Sequence, residues 1–285
     1  MRLLRLGPAG QEVPAVEHEG RVLDLRDLTR DITPEFLAAD GVRRVADRVL
    51  GAHLPTLPKA ETMRIGAPIS RPQAIIGVGQ NYVAHAHESG SAPPSRPIIF
   101  FKHPNTVVGP HDDILLPPGA AHLDWEVELA AIIGKQCYRL DHRDAAWAHI
   151  AGFTVANDVS ERRWQIDESG GQWSKGKSAP TFCPLGPYLR PQAEVDAGAL
   201  MLETRVNGSP RQKASTADMV FGVDELVHHL SQYLRLEPGD VLLTGTPAGV
   251  ALGGEADYLA AGDVVELSVT GLGTQRQVVT CGGLR

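Results

Sequence analysis

The eleven residues Asp124 to Gly134, DWEVELAAIIG, constrain this chain most. Glu126 and Glu128 are two apart, so on a β-strand both carboxylates leave the same face, their Cα atoms about 6.6 Å from each other. Trp125, Val127 and Leu129 occupy the opposite face, and Ala130 to Ile133 continue as an unbroken apolar run. Such a run marks a strand buried on both sides. Taken alone, Glu-x-Glu also describes a solvated strand face. In a buried strand, however, two carboxylates repel unless a cation lies between them, and hard divalent cations prefer carboxylate oxygens. The pattern therefore points to a Mg²⁺-type site and to a third ligand elsewhere.

The remaining composition narrows the class. The chain has 285 residues and a net charge of −7, from 27 Lys+Arg against 34 Asp+Glu, with no basic run, which argues against nucleic acid as a partner. Cys137, Cys183 and Cys281 are odd in number and scattered, without a CxxC pair, so a reducing, cytoplasmic compartment is expected. Gly7-Pro8 interrupts the short apolar start, and no stretch approaches 18 apolar residues, so neither a signal peptide nor a membrane span is expected.

Residues 1–70 read as a small N-terminal α/β module: strands at Arg2–Leu6 and Arg21–Leu23, then one helical stretch from Pro34 to Leu50 with Thr33 as its cap. Ala52–Pro72, with prolines at 55, 58, 68 and 72, reads as a linker into the main domain, 71–285. There, short apolar strands alternate with Gly/Pro turns, at Ala74–Val78, Pro97–Phe101, Leu123–Ile133, Ala151–Val155, Leu202–Val206, Asp240–Thr244 and Val264–Val269. Helical patterns are confined to Asp144–His149 and Ala217–Leu234. The expected class is β-rich α+β, a sandwich or barrel.

Three clusters and one turn carry chemistry. In GVGQNYVAHAHES (77–89), His85 and Glu88 share a helix face, the geometry of a base with an orienting carboxylate, although His-x-x-Glu is also a common surface pair. The Ser/Pro-rich stretch after it suits a lid. In FTVANDVSERRWQ (153–165), Asp158 ends a strand and is either the third ligand or a cap for the next segment. Arg162 and Gln165 lie one turn apart just beyond, placed to grip a carboxylate and a carbonyl. In GGQWSKGKSAPTFCPLGP (170–187), Lys177 is either a solvated loop charge or a stabiliser of an enolate. Residues 171–178 match GxxxxGKS, but Pro180 and Pro184 forbid the helix a phosphate loop requires, so nucleotide binding is rejected. In LLTGTPAGV (242–250), Thr246 sits in a turn and can offer a hydroxyl or amide to a ligand.

In this order, over residues 74–270, the motifs resemble the fumarylacetoacetate hydrolase family: GxNYxxHAxE at Gly79–Glu88, the DWEVEL strand, TVxNDVSxRxxQ around Asp158, the GKS at Lys177 and TGTPAGV. The resemblance implies a mixed β-sandwich roll, usually homodimeric, with Mg²⁺ or Mn²⁺ on the residues matching Glu126, Glu128 and Asp158. It also implies a His85–Glu88 dyad handling the catalytic water, with Lys177, Arg162, Gln165 and Thr246 at substrate-contact positions. Gln80 and Pro180 depart from the usual pattern, and the Gly170–Trp173 lead-in is similar to bacterial members acting on 2,4-diketo-3-deoxy sugar acids. The expected reaction is hydrolytic C–C cleavage of an acylpyruvate to pyruvate and a second acid. The competing expectations are decarboxylation or tautomerisation of oxaloacetate, hydration or isomerisation of a 2-oxo-alkenoate, and a non-catalytic binder that keeps the fold.

Overall fold

The structure, a computed structural model, describes residues 1–51 and 54–282; Ala52 and His53 of the expected linker lie outside the described residues. Its largest element is a ten-stranded mixed sheet. The sheet runs from Arg21–Asp24 through Val13–His18, Arg2–Leu6, Cys183–Pro191, Ile150–Asn157, Val127–Ile133, Val241–Leu243 and Ile75–Gly79 to Ile98–Lys102, with Val107–Val108 beside Cys183–Pro191. Ser209–Ser215, Met201–Val206, Val264–Val269, Gly273–Cys281 and Ile114–Leu116 form a second, five-stranded sheet.

Val127–Ile133 is the middle of this arrangement and is buried on both faces, as its composition requires. Val127, Leu129, Ala131 and Ile133 pack in one core with Leu202, Val265 and Leu267 of the smaller sheet. Ala130 and Ile132, on the other face, pack with Leu3 and Val16 and with Phe36, Val45 and Val49. The N-terminal strands extend the large sheet, since Leu3 pairs with Leu189.

Several elements differ from the sequence reading for local reasons. The stretch 34–50 is two helices, Pro34–Ala38 and Gly41–Leu50, because Asp40 adopts a left-handed conformation at φ 54°. Gly41 permits the turn: a Cβ there would stand 2.4 Å from the Phe36 carbonyl oxygen. Thr33 caps the first helix, its side chain accepting from Phe36 N at 3.2 Å. The helix expected over 217–234 is shorter, Val223–Ser231. Strands at Val13–His18, Cys183–Pro191, Ser209–Ser215 and Gly273–Cys281 were not foreseen. Pro184, Pro187 and Pro191 disguise Cys183–Pro191 as a turn, and its register with Ile150–Asn157 shifts between Phe153 and Val155. Ser209–Ser215 is polar because it lies at a sheet edge, where Pro210 is tolerated.

A half-buried ion network ties the N-terminal residues to the rest. Arg5 pairs with Asp31 at 2.6 Å and Glu12 at 3.3 Å, Glu12 pairs with Arg64 at 3.0 Å, and Arg64 grips Asp112 with two nitrogens. Asp112 also accepts from Gly109 N at 2.6 Å. Replacing Asp112 by Ala removes a bidentate partner and is expected to lower stability by about 1–3 kcal/mol, read as a lower denaturant midpoint at unchanged slope.

Candidate active site

The site forms where the central strand breaks. Leu123–Asp124 pairs with Ser160–Glu161, and Val127–Ile133 pairs with Ile150–Asn157, while Trp125 and Glu126 between them belong to neither strand. The expected continuous strand Leu123–Ile133 is therefore interrupted. Side chains replace the missing ladder bonds: Trp125 N donates to Asp124 Oδ1 at 2.9 Å, Glu126 N to Asn157 Oδ1 at 3.1 Å and Val127 N to Gln212 Oε1 at 3.1 Å. Glu126 returns the connection, its carbonyl accepting from Asp158 N at 2.9 Å. The bend thus sets Glu126 and Asp158 side by side without orphaning their backbones.

Glu126, Glu128 and Asp158 are all buried, and each offers an oxygen within 4.8 Å of the others. Three buried cations surround them. Lys177 Nζ lies 2.7 Å from Glu126 Oε2 and 2.8 Å from Asp158 Oδ2, and Lys102 Nζ lies 2.5 Å from Asp158 Oδ1. Arg162 joins Glu126 Oε1 at 2.7 Å to Asp124 Oδ2 at 2.8 Å. Burial alone would raise the Glu126 pKa, but Lys177 and Arg162 hold it well below the usual carboxylate range. Burial likewise opposes the charge on Lys177, yet Asp158 and Glu126 raise its pKa overall. Glu128 goes the other way: burial, then Asp158 and Glu126, push it well above its ordinary value, although Gly245 N donates to its Oε2 at 2.7 Å.

The helix Val83–Glu88 carries the dyad, with His85 Nδ1 2.9 Å from Glu88 Oε2. The second oxygen, Glu88 Oε1, accepts from Gly249 N at 2.9 Å, and the Gly249 carbonyl accepts from Trp125 Nε1 at 3.1 Å. One turn therefore links the dyad to the strand break. His87 of the same helix is exposed.

His85, Glu88, Glu126, Glu128, Arg162, Gln165, Lys177 and Thr246 line a single cavity of about 350 Å³, with Asp158 buried behind it. Arg162 Nη1 donates to Gln165 Oε1 at 2.9 Å, which orients the Gln165 amide with its NH₂ away from the arginine. The Thr246 hydroxyl is committed within the protein, donating to Val127 O at 3.0 Å and accepting from Gln212 Nε2 at 2.8 Å. Lys175, two residues before Lys177, is exposed and bonds the Glu168 carbonyl. Residues 174–177 form a single helical turn with no strand before it.

The profile "Fumarylacetoacetate (FAA) hydrolase C-terminal" matches residues 74–280. The chain belongs to the fumarylacetoacetate hydrolase family. It is 41% identical to a 2,4-didehydro-3-deoxy-L-rhamnonate hydrolase of a Sphingomonas species, over 98% of this chain and 96% of that one. It superposes with a TM-score of 0.81, at 26% identity over 99% and 100% of the two chains, on the maleylpyruvate hydrolase of Sphingobium sp. SYK-6, solved with manganese(II) and pyruvate. It also superposes with a TM-score of 0.78, at 34% identity over 100% of both chains, on a 5-carboxymethyl-2-hydroxymuconate delta-isomerase of Mycobacterium smegmatis. This chain is thus a family enzyme of the hydrolase and isomerase type, and no helix among its described residues is long and apolar enough to cross a membrane.

The acidic residues of this family member fit a divalent cation. Asp124, Glu126, Glu128 and Asp158 outnumber Lys102, Arg162 and Lys177 by one group, and Asp158 Oδ1 is buried without an aligned hydrogen-bond donor. An all-carboxylate donor set is the choice of a hard cation.

Four further residues that the sequence reading passed over hold the site. Asp124 accepts from Arg162 Nε at 2.8 Å and from Ala251 N and Leu252 N at 2.9 and 3.0 Å. Its signal was the alternation itself, Asp-x-Glu-x-Glu. Lys102 ends a strand whose Phe100 and Lys102 are buried, while Ile99 and Phe101 are exposed, so only strand parity hinted at it. Asn81 bonds the Phe221 and Thr244 carbonyls at 3.0 and 2.8 Å, and Gln212 braces Val127 and Thr246. Asn81 stands within the GxNYxxHAxE motif, which gave it no role of its own, and Gln212 carries no local signal.

A carboxyl whose pKa is raised by folding destabilises the fold as pH climbs above its ordinary 4.5. Changing Glu128 to Gln should therefore raise the thermal midpoint of the chelator-treated protein at neutral pH by roughly 2 °C or more, and should remove any upward shift that an added divalent cation gives the unaltered protein. Differential scanning calorimetry with and without the metal reads both effects.

Proposed function

We propose that this enzyme is a divalent-metal-dependent hydrolase that breaks the C3–C4 bond of a 2,4-diketo acid, an acylpyruvate, to give pyruvate and a second carboxylic acid. The observation that carries this reading is one cavity shared by a carboxylate triad and a His–Glu pair at 2.9 Å. Glu126, Glu128 and Asp158 would hold Mg²⁺ or Mn²⁺, which when bound supplies Lewis-acid polarisation of the 2-keto-acid oxygens.

The remaining chemistry belongs to the chain. Glu88 accepts a hydrogen bond from His85 Nδ1–H, which leaves Nε2 as the acceptor for a water proton. The water oxygen adds to C4, and the adduct collapses by breaking C3–C4, with the electron pair leaving on the pyruvate enolate. C3 then takes a proton, which balances the one that His85 removed from water. Arg162 and Gln165 orient the substrate carboxylate and carbonyl, and the Lys177 ammonium places positive charge where the enolate develops, worth about 3 kcal/mol for a well-placed donor. The hydrolase relative at 41% identity supports bond hydrolysis.

A second reading is favoured by the isomerase relative at 34% identity. It keeps the 2-keto acid but moves a proton or loses CO₂, as in 2-oxo-alkenoate isomerisation or hydration, or oxaloacetate decarboxylation or tautomerisation. Product analysis on an acylpyruvate and on oxaloacetate separates the two. The proposal also takes the protein to be a cytoplasmic homodimer, in keeping with the family resemblance and with three unpaired cysteines, Cys137, Cys183 and Cys281; gel filtration tests the dimer.

His85→Ala should lower kcat on an acylpyruvate by about 10²–10⁴-fold and leave Mg²⁺ binding by calorimetry unchanged; full turnover in that variant would remove the proposed base. Chelation should abolish turnover, and Mg²⁺ or Mn²⁺ should restore it. Activity that survives exhaustive chelation would contradict the metal requirement.

A further inference from the structure

The cavity has two chemically distinct ends. One holds the carboxylates with Arg162 and Lys177. From there an aromatic strip leads away: Lys177 Nζ lies 5.0 Å from the Phe100 ring centre, and the Phe100 and Trp173 ring centres are 6.0 Å apart. Both rings rest on glycine. A Cβ on Gly77 would stand 2.2 Å from Phe100 Cζ, and one on Gly79 would stand 2.2 Å from Trp173 Cζ3. Gly77 and Gly79 are alternate residues of the strand Ile75–Gly79, so the two rings share one of its faces. Gln80 comes next in the chain and lines the same cavity, adding a neutral amide whose Nε2 donates to Ser91 Oγ at 3.1 Å.

Among the described residues lining the cavity, the cationic or titratable bases are His85, Arg162 and Lys177. Each is already paired, His85 with Glu88, Arg162 with Asp124 and Glu126, and Lys177 with Glu126 and Asp158. Among the described residues lining the cavity, no lysine or arginine other than Arg162 and Lys177 is present to accompany the indole. We infer that the Trp173–Gln80 end is a subsite for an uncharged acyl group, so that the substrate is a 2,4-diketo acid with a single carboxylate. A second carboxylate laid on the indole would lose its water without gaining an ionic partner, and would share the cavity with the Glu88 carboxylate. An alkyl end instead gains contact with the ring, and a hydroxyalkyl end gains in addition a hydrogen bond from or to the amide. This inference rests on the 2-keto-acid reading above.

Binding separates it from turnover. 2-Oxopentanoate and 2-oxoglutarate have the same five-carbon chain and differ in the terminal carboxylate, and neither has a 4-keto group to be attacked. Isothermal titration calorimetry on the Mg²⁺-loaded enzyme should show 2-oxopentanoate bound at least about ten-fold tighter. Trp173→Lys, and separately Gln80→Lys, should move the ratio toward 2-oxoglutarate by about ten-fold. Equal or tighter binding of 2-oxoglutarate by the native enzyme overturns the subsite, as does an unchanged ratio in either folded lysine variant. Preferential binding of 2-oxopentanoate together with no hydrolysis of any acylpyruvate upholds the subsite and overturns the cleavage reaction. Hydrolysis without a binding preference does the reverse.

Discussion

The structure depends on burying Asp124, Glu126, Glu128 and Asp158 next to Arg162, Lys102 and Lys177. Isolated charges in an apolar interior are very costly, so each group must have its counter-ion in place. Asp124, Glu126 and Asp158 each meet a lysine or arginine within 2.8 Å, whereas among the described residues the Glu128 carboxyl has the Gly245 amide alone as hydrogen-bond donor. Glu128 is thereby the carboxyl whose charge the surroundings oppose, through burial and the neighbouring Asp158 and Glu126. Pairing of this kind adds little net stability compared with an apolar core, and its value lies in holding charged oxygens at fixed positions.

Neutral amides make that placement possible. The strand break at Trp125–Glu126 strands three backbone N–H groups in the interior, and Asp124, Asn157 and Gln212 accept from them. Asn157 is held in turn by Gln277 at 3.3 Å, and Gln277 donates to the Pro110 carbonyl at 2.6 Å. Gln212 and Gln277 both come from the five-stranded sheet. The smaller sheet is thus the brace that fixes the bend in the central strand, in addition to closing the apolar core.

The dyad depends on the same break. Trp125, which begins it, holds the Gly249 carbonyl, and the Gly249 amide holds Glu88. Asp124 fixes the next residues of that turn through Ala251 N and Leu252 N. A disturbance at Asp124 or Trp125 would therefore reach the metal-type carboxylates and the His85–Glu88 pair together, because both are anchored to one short stretch of backbone.

The sequence by itself determined the buried central strand, because alternation and an unbroken apolar run leave it no exposed face. It also determined the local pairs His85–Glu88 and Arg162–Gln165, since helical spacing of three residues sets their reach. Only the tertiary structure decided that Asp158 stands beside Glu126, that Lys102 and Lys177 converge on it from separate segments, and that Asp124 and Gln212 hold the bend. Those contacts join residues 19 to 85 positions apart, and spacing along the chain does not show which of them meet until the sheets assemble in register. Prolines and edge polarity hid Cys183–Pro191 and Ser209–Ser215 for the same reason: their strand character comes from the neighbours they pair with.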